Sequence, residues 1–208
     1  TYIVSTHLSV MTDASCLPII SFIRMAAYVI DFADLERKAS DPKAKILLLC
    51  NPHNPVGRVW TPEELQHIGD ICLRNEVFVV ADEIHCELTY EGYDYTPFAS
   101  LSERFLQNSV TCVSPSKAFN LAGLQIANII AADEEVRRRI DRAININEVC
   151  DVNPFGVIAT MQLTTKVGNG LMPCGNICGG ITNTSAAFSR NGYHNIPCCH
   201  SKELIWFG

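Results

Sequence analysis

Residues 45–57 read KILLLCNPHNPVG, a short apolar run that stops at a loop of proline, asparagine and glycine. A strand in a parallel sheet is covered on both faces, so it reads as a continuous apolar run, and the loop residues mark where it turns. The next stretch predicts a helix. Thr61 caps it, Pro62 suits its first turn, Glu64 stands at the capping-box position, and Leu65, Ile68, Ile71 and Cys72 recur at helical spacing. Residues 77–81 (VFVVA) predict a second buried strand ending at Asp82, residues 109–113 a third ending near Lys117, and residues 126–132 a fourth, before a charged helix over 133–146. Strands alternating with helices across short loops predict an α/β fold, a mostly parallel sheet with flanking helices.

The whole chain has 208 residues, 48% hydrophobic and 18% charged, a net charge of -6 and ten cysteines. Its acidic balance argues against a nucleic-acid partner, which selects a basic face. No apolar run reaches the roughly 18 residues of a membrane span, and residues 1–28 lack a basic start followed by a clean apolar stretch, so neither a membrane partner nor export is expected. Charge is distributed unevenly. Residues 1–28 hold only Asp13 and Arg24, and residues 161–208 only Lys166, Arg190, Lys202 and Glu203, while five of the ten cysteines (Cys16, Cys174, Cys178, Cys198 and Cys199) sit in these flanks.

Ligands of open α/β sheets sit at the carboxyl ends of the strands. Three polar groups follow predicted strands at that edge: Asn54, Asp82 and Lys117. Singly, each has an ordinary explanation as a turn former, a cap or a solvated cation. Their joint placement points to a site.

The strings NPHNPVGRVWTPEEL, VVADEIHCEL, TPFASLSERF and SPSKAFNLAGLQ resemble the fold-type I pyridoxal-phosphate enzymes, specifically the MalY/PatB-type cystathionine β-lyase branch of the aminotransferase superfamily, over residues 28–160. The resemblance implies the central part of that cofactor-binding domain, incomplete at both sides, with pyridoxal 5'-phosphate as cofactor. It implies that Lys117 bonds to the cofactor and then moves the proton at the substrate's α-carbon, which a lysine of lowered pKa does well. It further implies that Asp82 faces the pyridine nitrogen, that Asn54 donates to the ring's phenolic oxygen with His85 nearby, and that the hydroxyls of Ser114 and Ser116 contact the phosphate. One departure stands out: NLAGLQ follows the lysine where many aminotransferases place a phosphate-binding arginine. Tyr90, Tyr93 and Tyr95 either line the substrate entrance or stack on the surface.

The branch implied is a carbon–sulfur β-lyase, which releases a thiol, pyruvate and ammonia from a sulfur-containing amino acid. It also implies a cytoplasmic enzyme, homodimeric in the intact family. Aminotransfer is the alternative reaction, and an inactive fragment is the alternative state of the chain. A third class, a zinc module, is suggested by Cys174, Cys178, His194, Cys198, Cys199 and His200. Their spacing is not the usual CxxC pairing, and no metal site is expected.

The flanks have another reading. Codons built from the last base of each residue's codon and the first two of the next, starting at Met161, permit AAYNKGGEWLDALREYMWGNYQY and later RLPQYTVLPLEGTYLVW. Some positions allow no freedom: Met172-Pro173 forces alanine, Cys198-Cys199 leucine and Trp206-Phe207 valine. The same operation from Met11 through Ala26 permits DGRQLLANHLVYKNG. These strings resemble the β-lyase family's continuation on each side of the centre. Three segments are therefore expected: 1–27 out of frame, 28–160 a cofactor-binding core, and 161–208 an out-of-frame tail. No residue of the chain matches the family's arginine for the substrate carboxylate.

Overall fold

The computed structural model describes residues 21–24, 27–54, 57–90, 92–148, 152–166 and 205–207. Two short strands, β1 (Ser21–Arg24) and β2 (Ala27–Ile30), pair antiparallel ahead of helix α1 (Phe32–Ala39), whose first turn is capped by Asp31. The main sheet begins with β3 (Ile46–Cys50), followed by α2 (Pro62–Arg74) and β4 (Phe78–Asp82). The predicted capping box is present: Thr61 Oγ1 accepts from the N–H of Glu64 at 3.2 Å, and the Glu64 carboxylate accepts from the N–H of Thr61 at 2.9 Å. Two of the helix's orphan donors are thereby satisfied.

A 3-10 turn at Phe98–Ser100 and helix α3 (Glu103–Gln107) lead into β5 (Ser109–Val113). After β5 come α4 (Pro115–Ala118), a 3-10 turn at Ala122–Leu124, β6 (Ala127–Ile130), α5 (Glu134–Ile146) and α6 (Pro154–Lys166). A last strand, β7 (Ile205–Phe207), pairs with β6. The sheet order is β3-β4-β5-β6-β7. β3, β4 and β5 are parallel, as the apolar runs predict, while β6 and β7 extend the sheet antiparallel. The reversal after β5 has a local cause. Asn120 and Gln125 take left-handed backbone angles (φ 54° and 48°) and return the chain to the edge where β5 stopped.

Register divides the sheet into two faces. Leu49, Ala81 and Thr111 align across one face and are buried, as are Val79 and Val113. Against them pack Leu35 and Ala39 of α1, Leu65, Ile68, Ile71 and Cys72 of α2, and Phe105 of α3, which stacks on Phe98 at 5.2 Å between centroids. The alternate residues form the other face, which is far more open. Ile46 is 60% exposed, and Leu48, Cys50, Phe78, Val80, Asp82 and Cys112 are each part-exposed, although Val110 in their midst is buried. Among the described residues, no helix is long and apolar enough to cross a membrane.

Candidate functional site

The predicted residues gather at the carboxyl edge of β3, β4 and β5. Asn54 lies at the exposed tip of a loop closed by a backbone bridge, in which His53 N–H donates to the Arg58 carbonyl at 2.7 Å and Gly57 N–H to the His53 carbonyl at 2.8 Å. Gly57 has φ 71°, a left-handed turn position with open space around it. Trp60 anchors the base of the loop: its Nε1–H donates to the Cys50 carbonyl at 2.9 Å, the His53 ring lies 5.4 Å away, and the Arg58 guanidinium sits 4.9 Å above it. Arg58 also pairs with Glu64 at 2.7 Å, so the loop is tied to the first turn of α2.

Asp82 ends β4 and is part-exposed, its Oδ1 accepting from the N–H of Ile84 at 3.3 Å. His85 lies within the electrostatic range of both Asp82 and Lys117. Burial holds its imidazole below the usual histidine range, Asp82's charge opposes that shift and Lys117's charge adds to it. The structure thus brings an acid, an imidazole and an amine together at one edge. Lys117, on α4, is exposed.

Ser114 and Ser116 have a more restricted role than their residue type suggests. Ser114 Oγ accepts from the N–H of Ser116 at 3.1 Å and donates to the Ile126 carbonyl at 2.5 Å, because a carbonyl only accepts. Its single proton is thereby spent, and the Ser116 hydroxyl 2.7 Å away donates back to it. Ser114 therefore caps the helix that bears Lys117 and ties it to the residue before β6.

Sequence reading alone misses the residues behind the edge. Glu83 is fully buried (0% exposed), and its carboxylate accepts from the Tyr95 hydroxyl and, at 2.9 Å, from the N–H of Phe98. Asn51, equally buried, donates from Nδ2 to the Thr96 carbonyl at 2.9 Å, and its N–H donates to the Asp82 carbonyl at 3.0 Å. Together they pin residues 95–98 across the helix-covered side of the strand ends. Tyr95 is consequently interior, whereas Tyr90 and Tyr93 are 70% and 62% exposed. Glu87 was also unforeseen: its Oε2 is buried without a hydrogen-bond partner among the described residues, and burial pushes its carboxyl up to about 7. For Glu83, alternation was the available signal, since the residue after Asp82 must leave the strand on the opposite face.

The cysteine and histidine positions of 174–200 lie outside the described residues, among which no cluster of three or more metal-ligating side chains occurs.

Comparison with known proteins bears on this edge. The chain is 48% identical over 142 residues to cystathionine beta-lyase PatB of Bacillus subtilis (strain 168), covering 68% of this chain and 37% of that protein. Its fold matches the PLP-bound C-S lyase of Staphylococcus hominis with a TM-score of 0.70 at 33% identity, over 78% of this chain and 41% of that one. It also matches cystalysin of Treponema denticola, a structure containing pyridoxal 5'-phosphate, with a TM-score of 0.65 at 38% identity, over 67% and 35% of the two chains. The chain thus spans well under half the length of each relative. The family model described as aminotransferase class I and II matches residues 11–165, a region holding every strand of the parallel sheet and the whole edge just described. The chain belongs to the aminotransferase class I and II family.

Proposed function

We propose that this chain carries the cofactor-binding core of a pyridoxal 5'-phosphate-dependent carbon–sulfur β-lyase of the cystathionine β-lyase type. The observation that supports it is the meeting of Asp82, His85 and Lys117 at the carboxyl edge of a parallel sheet. The donor set fits the cofactor. Asp82 has one long hydrogen bond and a charge free to face a cationic ring nitrogen, Lys117 offers an exposed primary amine, and Asn54 offers an amide on a loop tip. When bound, the cofactor supplies an electron sink for the substrate's α-carbon.

The chain's own residues do the rest. Asp82 holds a proton at the ring nitrogen, Asn54 donates to the phenolic oxygen, and His85 stands beside it. Lys117 would hold the cofactor through its amine and, once the substrate's amino group has displaced it, would as a free amine take the proton from the α-carbon, the sulfur substituent leaving from the β-carbon. Ser114 and Ser116 are the phosphate contacts of this reading, and each hydroxyl would turn from its present partner, the Ile126 carbonyl for Ser114 and Ser114 Oγ for Ser116, to donate to the phosphate. The substrate of this reading is a sulfur-containing amino acid, the products are a thiol, pyruvate and ammonia, and the intact family member is a cytoplasmic homodimer. Mixing the chain with pyridoxal phosphate tests it. A visible absorption band that Lys117→Ala abolishes is expected, and no such band in the unsubstituted chain overturns the reading.

Aminotransfer is the second reading, favoured by the family description itself. Pyruvate release from cystathionine separates the lyase from keto-acid-dependent amino transfer.

The segment division is a proposal of the same standing: 1–27 and 161–208 are out-of-frame flanks around the core at 28–160. On that proposal the 208-residue chain has weak or no turnover, and activity belongs to the unshifted parent. Sequencing the gene across the codons near Ala26 and Thr160 decides it, since an intact frame with no related text in the shifted frame overturns it.

A further inference from the structure

Three residues from three successive strands stand side by side in the sheet, Cys50 aligned with Asp82 and Asp82 with Cys112. Laterally aligned residues of neighbouring parallel strands project from the same face, on strands about 4.8 Å apart. The Asp82 carboxylate therefore lies between two thiols on the open face. Among the described residues its one hydrogen bond is the long one from Ile84. Both thiols keep their protons at neutral pH: burial first, and Asp82's charge second, push Cys50 up to about 11 and Cys112 up to about 12. A thiol is a weak donor, whereas a hydroxyl in its place makes a short, strong bond to a carboxylate.

We propose that Cys50 and Cys112 are positioning residues for Asp82, side chains that flank its carboxylate across the sheet and donate too weakly to satisfy it, leaving its charge for a cationic nitrogen ring held in front. This inference rests on the cofactor reading and extends it by naming what keeps the charge of Asp82 available. It makes a prediction that plain packing does not. Serine is nearly the size of cysteine, so a packing role makes Cys→Ser mild and Cys→Ala worse. The positioning role reverses the order, because serine competes for the carboxylate and alanine does not.

Cys50→Ser, Cys112→Ser, Cys50→Ala and Cys112→Ala in the 208-residue chain test it, by equilibrium binding of pyridoxal phosphate and by the resonance of a 15N-labelled ring nitrogen followed against pH. Each serine is expected to weaken binding about three- to tenfold and to move loss of the ring-nitrogen proton about half a unit or more to lower pH. Each alanine is expected to change binding less than about twofold. Serine variants equal to the parent, or alanine variants weaker than serine, overturn the proposal while the cofactor reading stands. An unsubstituted chain with no Lys117-dependent band overturns the cofactor reading, and this inference falls with it. Far-ultraviolet circular dichroism monitors folding. A serine variant that unfolds leaves the other flank to decide, and unfolding of both assigns the thiols to packing and overturns the positioning role.

Discussion

Asp82 and Glu83 are adjacent carboxylates with opposite surroundings. Glu83 turns to the helix-covered side of the sheet, where a tyrosine hydroxyl and a backbone N–H satisfy it and no water reaches it. Asp82 turns to the open side and receives one long hydrogen bond between two thiols. A buried charge is tolerable only when paired or hydrogen bonded, so the saturated carboxylate is bound to a structural task. The unsaturated one is free to meet a ligand. One face of the strand ends thus holds the loops, and the other is the face that the proposed cofactor reading uses.

The contrast breaks first at Glu83. Glu83→Ala removes the carboxylate that accepts from the Tyr95 hydroxyl and the Phe98 N–H and should cost about 4 kcal/mol in urea unfolding. Asp82→Asn should leave unfolding within about 0.5 kcal/mol and lower cofactor affinity about a hundredfold, near 3 kcal/mol in titration. If the two variants exchange effects, the assignment of faces is wrong. Packing on the covered face is sharpened by Gly69→Ala, whose Cβ would meet the Phe105 ring at 2.4 Å. A loss of about 2–3 kcal/mol is expected, with cofactor affinity unchanged.

Glu87 gives the pH arm. Its carboxyl is raised by burial from 4.5 to about 7, so the folded state binds its proton more tightly than the unfolded chain does. Its contribution to stability is full below pH 4.5, falls between 4.5 and 7 and stays lost above 7. Glu87→Gln should flatten that slope and gain about 2 kcal/mol at pH 8, read from unfolding midpoints across pH. The smallest effect is at the capping box, where Thr61→Ala should cost about 1 kcal/mol in the same measurement.

Legibility in the sequence followed the distance of the determinants along the chain. The capping box of α2 spans three residues, the apolar runs of β3 and β5 are self-contained, and the strand-end positions of Asn54, Asp82 and Lys117 were readable without a structure. Glu83 and Asn51 escaped because their partners lie 12, 15 and 45 residues away. The Ser114 proton went unread for the same reason, its acceptor being twelve residues downstream. The antiparallel turn of β6 depends on Asn120 and Gln125 in left-handed conformations, which neither residue type announces as glycine does. The thiol row needed the register itself, since alignment of Cys50, Asp82 and Cys112 is a property of three strands at once.

The strand order has a consequence for how the chain is made. Because β3, β4, β5 and β6 neighbour one another in space in the order in which they are synthesised, each new strand finds its partner already in place. Loop closure is then confined to one crossover at a time, which lowers the entropic barrier relative to an order that pairs distant strands. Assembly can proceed as the polypeptide leaves the ribosome, with α2 closing over β3 and β4 before β5 has emerged to join them.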